Sequence, residues 1–583
     1  MNITNPLTKL FLKRRNYNEQ YFTDIYNPNH QPLQNIDKIT TILKQIHDNY
    51  DQIVIMPDFD TDGISAATVG YAGLAELGFN VKLYTPNAGN GYGINVSDIK
   101  KVQAQFPDTK YLITCDVGIT CYDAFKYAYE QGLKVLITDH HEEEKDENKP
   151  MPLACEVIVN PCQLSETYKL RQICGAYVFW QVIYYYMKAY EPAKESQINR
   201  LRVFAGIGTI GDMMPLINEN RRLIIDMVNI LKMVYNNNDS SIVDNLPGCQ
   251  IYRTAFQGLF TLLSAEKENG SLRSPDDLNE KYIGWTLGPT YNSAKRMDFP
   301  MSKVFSIFTS TDPKVRLQDS RELIANNEKR KVVTKEYSEE LEEETENHLQ
   351  PYAPYIYLTD APGGIVGLLA NEFMQKNKVP TFVINKNTYS GSGRSYPYFP
   401  VVTALAGSGF NAKGHNEAFG ISFKNADQVK LFYDQLLDNI TPLVKNAAKE
   451  IKQDYDILLT SEPIPKFQAD GIVNSAECIG FYHDLELLHP YGQGFPEPKI
   501  AIVFPTKATE LTTMGHEKQH LKATLANGLQ LISWNHAELE PEILGQEYGV
   551  FIGNFSVNSF GGVNSLQMIG KFKPVSEKEP AHE

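Results

Sequence analysis

The stretch "VIMPDFDTDGISAATVG", residues 54–70, sets Asp58, Asp60 and Asp62 at alternate positions directly after an apolar run. Carboxylates that close repel one another, and some must take up protons unless cations sit among them. The same stretch decides the local fold. "QIVIMP" has the apolar character of a buried strand, "ISAATVGYAGLAELG" continues with helical pattern, and Gly78 is placed as a helix stop. Outward from it come "NVKLYTP", "KYLITC", the helical "CYDAFKYAYEQG" and "KVLIT". This rhythm predicts a mostly parallel sheet covered by helices.

Two further strands of this set end in chemistry. "YLITCDVGIT" delivers Asp116, and "KVLITDHHEE" delivers Asp139, His140 and His141. In an open parallel sheet the carboxyl ends of the strands share one rim, where ligands bind. A mixed Asp/His set on that rim suits Mn²⁺ or Mg²⁺ better than zinc. The spacing D-x-D-x-D-G also opens an EF-hand loop, but loop position twelve would be Val69 instead of a bidentate Glu, and a strand precedes it. Calcium is rejected. The simplest alternative leaves Asp62 as a cap of the next helix. "GIGTIG" (Gly206, Gly208, Gly211) fits a dinucleotide fingerprint, yet "INRLRVFA" before it reads as helix and Pro215 interrupts any helix after it. Asp212 is the useful residue there, and no Walker A motif is present.

The 583 residues exceed one core, so several domains are expected. Seven cysteines without a C-x-x-C pair argue against a disulfide framework and a structural zinc site. No apolar run approaches membrane-spanning length and no signal core opens the chain, so a cytoplasmic protein is expected. The formal charge of −15 argues against broad adhesion to nucleic acid, though not against a basic groove on an acidic body. Residues 170–235 read as helices, with "GAYVFWQVIYYYMKAY" as a buried one. A charged stretch without Gly or Pro, 316–350, reads as a long connecting helix, and a second α/β unit comes next over 351–450. Beyond it "KIAIVFPTK", "HLKATLANGLQLISW" and "YGVFIGNFSVNSFGGVNSLQMIGKF" read as strands, with "ANG" and "FGGVN" as hairpin turns of a small β-barrel.

"DFDTDG", "CDVGIT", "TDHHEE" and "GTIGDMMPL" resemble, in order, the four motifs of the DHH phosphoesterases. The closer resemblance is to the RecJ family of single-strand-specific 5′→3′ exonucleases. "TPNAGNGYGIN" and "VNPCQ" also sit where that family has similar phrases. "LGPTYNSAKRM" is similar to its P-R-x-N-A-A-G-R-M. "GSGRS" and "GHNEAFG" look like the signatures of its DHH-associated domain, and "LELLHPYGQGFPEP", "HEKQHLKATL" and "NSFGGVNSLQM" resemble its OB-fold region. Thr290 and Lys295 depart from the pattern, where the family has Arg and Gly, and "AKGH" lacks one Gly.

The resemblance implies an α/β DHH domain over 1–315, the connecting helix over 316–350, a DHH-associated domain over 351–450, an OB-fold nucleic-acid-binding domain over 451–575 and a disordered tail over 576–583. It makes Asp60, Asp62, Asp116, His140 and Asp212 metal ligands, with Asp58 added to that set. His140, His141 and Asp139 are its catalytic group, Asp139 orienting an imidazole. Two Mn²⁺ or Mg²⁺ ions would clamp a scissile phosphate and acidify a water. Arg296, Ser392, Arg394, Gly414 and His415 would hold the DNA 5′ end. Trp534, Phe555 and Phe560, near Lys518 and Lys522, carry the base-stacking chemistry of single-strand binders, although such aromatics are more often core. The implied function is 5′→3′ degradation of single-stranded DNA to mononucleotides in recombination and repair. A monomer is expected, beside a single-strand binding protein and a helicase. Two alternatives stay open: a relative cutting short oligoribonucleotides or cyclic dinucleotides, and a non-catalytic replication scaffold.

Overall fold

The computed structural model describes residues 3–24, 31–86, 93–142, 154–236, 243–345, 353–396, 399, 401–405, 412–414, 417–450, 455–560 and 563–574. It comprises two compact units, His30–Glu450 and the pair Met1–Asn29 with Ile451–Glu583.

The larger unit is built on five parallel strands, β1 (Gln52–Pro57), β2 (Val81–Leu83), β3 (Thr109–Cys115), β4 (Lys134–Thr138) and β5 (Val157–Val159), in the order β2-β1-β3-β4-β5. Both faces are covered, which is why these strands read as unbroken apolar runs. Ile53, Ile55, Ile113 and Leu136 belong to one core, while Val54, Met56, Leu112, Val135 and Ile137 belong to the other. Strand order reverses between β1 and β3, and a crevice at the carboxyl ends of the strands is expected at such a point. Helix Thr61–Glu76 leaves from that crevice, and helices Gly175–Tyr190 and Arg202–Gly211 pack beside it.

Helix Pro313–Thr345 runs for 33 residues, about 50 Å at the α-helical rise. Its Asn326 donates to the Ser293 carbonyl (2.9 Å), and its Ser338 donates to Glu372 (2.7 Å) of helix Gly363–Asn377. It therefore ties the parallel-sheet region to the second α/β sheet. That sheet has β6 (Tyr355–Thr359), β7 (Thr381–Asn385), β8 (Ser390–Arg394), β9 (Ala412–Gly414) and β10 (Ala418–Ser422), ordered β6-β7-β8-β10-β9.

The other unit holds an eight-stranded mixed sheet: β11 (Ile457–Thr460), β12 (Gly471–Ile472), β13 (Ile500–Pro505), β14 (Glu510–Met514), β15 (His520–Thr524), β16 (Gln530–Ser533), β17 (Tyr548–Phe560) and β18 (Val563–Pro574). The "ANG" turn joins β15 to β16, with Gly528 at φ 84°. The boundary expected at residue 1 for the first domain is corrected here, because the N-terminal segment packs into this second unit. Ile3, Leu7, Phe11, Leu12 and Phe22 share its core with Ile457, Phe481, Phe495 and Phe551. Asp484 accepts the backbone N–H of Asn5 at 2.7 Å, Arg14 pairs with Asp470 (2.7 Å) and Arg15 with Asp456 (2.9 Å). The connecting helix likewise begins at Pro313 instead of 316, and the expected tail 576–583 lies outside the described residues.

Candidate active site

The alternate aspartates after β1 take three different tasks. Asp58 is buried, and its N–H donates to the Cys115 carbonyl at 3.3 Å, tying the end of β1 to the end of β3. Asp60 is the N-cap of helix Thr61–Glu76 and accepts the N–H groups of Asp62 (3.0 Å) and Gly63 (3.1 Å). Asp62 does not cap its own helix. It accepts from Gly175 (2.6 Å) and Ala176 (3.0 Å), at the N-terminus of helix Gly175–Tyr190.

The neighbouring strands complete the group. Asp116 comes directly after β3 in a left-handed backbone conformation (φ 63°), which in a non-glycine residue costs on the order of 1–3 kcal/mol. His140 lies just past β4, and its Nε2 lies 3.0 Å from Asp116 Oδ1, 3.5 Å from Asp212 Oδ2 and 3.8 Å from Asp62 Oδ2. Asp139, buried, receives the backbone N–H groups of His140 (2.7 Å) and Ile119 (2.9 Å), and its Oδ1 stands 2.7 Å from His141 Nδ1. Asp212 closes the ring from the end of helix Arg202–Gly211. Three ligand groups with mutual distances under 4.8 Å result: Asp58–Asp60–Asp116, Asp62–His140–Asp212 and Asp116–His140–His141.

The electrostatics describe a place that lacks positive charge. Burial, reinforced by neighbouring carboxylates, pushes Asp116 and Asp212 well above the usual range and lifts Asp58 to about 7. Burial would also raise Asp139, yet the His141 hydrogen bond and the two imidazoles hold it down to about 2. Burial disfavours the charged form of His141, but Asp139 outweighs it and raises that imidazole to about 9. Oδ1 of Asp116 is buried without a hydrogen-bond partner. An orphaned carboxylate oxygen among hard oxygen and imidazole donors fits a divalent ion of the Mn²⁺ or Mg²⁺ class.

Asp60 also lines a cleft of about 450 Å³ whose other walls include Asn292, Lys295, Arg296, Gly363, Gly364, Gly367, Ser392 and Arg394. Asp60 is the one carboxylate of this lining among the described residues. Burial, then the charges of Arg330 and Arg394, pull the Arg296 guanidinium down to about 10. Arg394 donates to Ser392 Oγ at 2.6 Å. Helix Gly363–Asn377 turns its N-terminus into the same space, an end that favours anions.

Residues 52–207 match the model of the DHH family N-terminal domain, and residues 470–571 match the RecJ OB domain. These two segments resemble the DHH N-terminal domain and the OB domain of RecJ proteins. The single-stranded-DNA-specific exonuclease RecJ of Bacillus subtilis is 26% identical over 580 residues, an alignment covering 95% of this chain and 65% of the relative. The protein of the same name from Haemophilus influenzae is 24% identical, with 94% and 92% covered. This chain thus spans just under two thirds of the Bacillus relative. Among solved structures, Thermus thermophilus RecJ in complex with Mn²⁺ gives a TM-score of 0.71 at 19% identity, covering 98% of this chain and 76% of that one. Its Mg²⁺ complex gives 0.66 at 18% identity, covering 98% and 75%. At such identity the likeness is one of fold.

The close approach of the acids depends on glycines to which sequence reasoning gave no role in the site. A Cβ on Gly63 would stand 2.4 Å from the Asp58 carbonyl oxygen, one on Gly175 2.6 Å from Asp116 Cβ, and one on Gly208 2.2 Å from Asp62 Oδ1. Of the "GIGTIG" glycines, Gly208 thus serves close packing against Asp62, while Gly206 faces Met227 and Gly211 faces Thr61. In the cleft, a Cβ on Gly364 would stand 2.3 Å from the Arg296 carbonyl oxygen, and one on Gly367 2.9 Å from the Arg394 guanidinium. The doubled glycine of "GGIVG" was the available signal.

Of the two departures within "LGPTYNSAKRM", Thr290 is buried away from the cleft and donates to Glu266 (3.1 Å), while Lys295 lines it. The structure brings Arg296, Ser392 and Arg394 together but does not place Gly414 in the cleft lining. Gly414 is an exposed end of β9 at φ 130°. His415 lies outside the described residues. Of the aromatics singled out, Phe555 is core, Trp534 is half-exposed, and the Phe560 side chain is outside the description. No helix among the described residues is long and apolar enough to cross a membrane.

Proposed function

We propose that this chain is a metal-dependent exonuclease that shortens single-stranded DNA from its 5′ end, releasing mononucleotides. One observation carries the reading: Asp60 belongs both to the Asp/His cluster and to a cleft walled by Lys295, Arg296, Ser392 and Arg394. A phosphodiester spanning that shared residue would have its terminal phosphate among cations and its next linkage among ligands. The names of the Bacillus and Haemophilus relatives support the substrate class.

Asp58, Asp60, Asp62, Asp116, His140 and Asp212 would hold two divalent ions. When bound, such ions polarise the phosphate and acidify a water. The chain's own residues supply the rest. The Arg394 fork and Ser392 hydroxyl bind phosphate oxygens, helped by the helix end at Gly363. His141, kept cationic by Asp139, contributes positive charge and an acidic proton for the departing oxygen. In this reading the protein is a cytoplasmic monomer of recombination and repair, with a single-strand binding protein and a helicase as partners. The family resemblance alone supports that last part.

The test supplies Mn²⁺ and end-labelled single-stranded DNA, duplex and RNA, each with and without a 5′ phosphate. The expected result is stepwise loss from the 5′ side of single-stranded DNA, abolished in Asp116→Ala. Loss from the 3′ side, preference for short RNA, or full activity in that variant would overturn the reading.

A further inference from the structure

Trp285 is 80% exposed, an unusual state for the largest apolar side chain. It sits in a π-helical segment, Ile283–Leu287, that runs directly into helix Gly288–Arg296. π-Helical turns are rare and are frequently found at functional sites.

The contacts of this continuous segment place it along the site. Its far end carries Lys295 and Arg296 of the cleft. Its middle meets the corner after Asp60: Asn292 Oδ1 accepts the Thr61 N–H at 3.0 Å, and Thr61 Oγ1 donates to the Gly288 carbonyl at 3.0 Å. Its near end faces the other side of the cluster. A Cβ on Gly284 would stand 3.5 Å from Ile210, two residues before Asp212. Met213, directly after Asp212, is itself 72% exposed with φ 52°. Walking from Arg296 to Trp285 therefore passes the terminal-phosphate cleft, then the metal-ligand corner, then an exposed indole. Trp285 and Arg296 are eleven residues apart, about three turns and ~16 Å along the axis, so they share a side of the segment.

We infer that Trp285 is a stacking platform for a nucleobase downstream of the scissile phosphate, on the part of the strand that remains after cleavage. The inference rests on the exonuclease reading above. A flat exposed indole beside a phosphate site is what sequence-tolerant single-strand binding uses, because every base has a π-face. Stacking there would hold the shortened strand after each cut and favour unpaired bases.

The chain has three tryptophans, and Trp180 is buried, so a Trp534→Phe background leaves Trp285 as the exposed emitter. In that background, a phosphorothioate thymidine decamer should quench emission, and the quench should vanish on adding Trp285→Phe. In steady state, Trp285→Ala should raise KM for single-stranded DNA roughly tenfold with little change in kcat, while Trp285→Phe stays near the parent. An abasic site walked through the first four nucleotides should weaken binding to the parent at one position beyond the first, and not to Trp285→Ala. Unquenched emission, an unchanged KM in Trp285→Ala, or insensitivity to every abasic position would overturn the inference. Quenching by a strand that the protein never cleaves would sink the exonuclease reading and leave the platform standing.

Discussion

Oδ1 of Asp116 and Nε2 of His140 stand 3.0 Å apart, yet no hydrogen bond satisfies that buried oxygen. Two electron-rich atoms so placed share a deficit of positive charge. A cation bound there should stabilise the fold by about 2.7 kcal/mol at one hundred times its Kd. Thermal shift measurements should show Mn²⁺ raising the melting temperature of the parent and EDTA reversing it. Asp116→Asn should lose most of that response while its metal-free form melts no lower, because burial already favours a neutral side chain at this position when no cation is bound.

Gly208→Ala should cost metal affinity on the order of ten- to a hundredfold, the usual penalty for disturbing what orients a ligand. The added methyl would sit on Asp62 Oδ1. Gly206→Ala is the control for a packing clash on the same helix away from the ligands, since its methyl would stand 2.5 Å from Met227 Cβ. Mn²⁺ titration by calorimetry separates the two: a loss in the first variant alone is expected.

Arg394→Lys keeps the charge and loses the planar fork. KM for 5′-phosphorylated strands should rise by roughly tenfold or more, whereas 5′-hydroxyl strands should be nearly indifferent. Comparing the two substrates on one variant measures this without reference to folding.

Phe11 is fully buried in the unit that contains residues 455–574. Phe11→Ala should destabilise that unit by about 3–5 kcal/mol. Asn5, whose side chain accepts the Leu7 N–H at 2.9 Å as an N-cap, should cost about 1 kcal/mol when changed to Ala. Urea unfolding should show both losses in one transition, with the transition of His30–Glu450 unmoved.

The rim of the parallel sheet was legible because its strands are buried on both faces, so apolar runs ending in Asp58, Asp116 and Asp139 stand out. Their convergence comes from topology alone. The clearances at Gly63, Gly175 and Gly208 were not legible, since they depend on which helix meets which carboxylate. Asp62 illustrates the same point: its partner helix begins 113 residues later. Trp285 was hidden for the opposite reason, as apolar residues in a helical stretch are ordinarily core. Thr290 shows that a changed motif residue can lie in the core.

The bond between Asn5 and Asp484 joins positions 479 residues apart. A ribosome adding about 5–20 residues per second needs roughly half a minute or more to span that interval. Throughout it, Leu7, Phe11 and Leu12 wait on the nascent chain without the surface that will receive them. Helix Pro6–Arg14, first in chain order among the described helices, is thus among the last to have its apolar face covered.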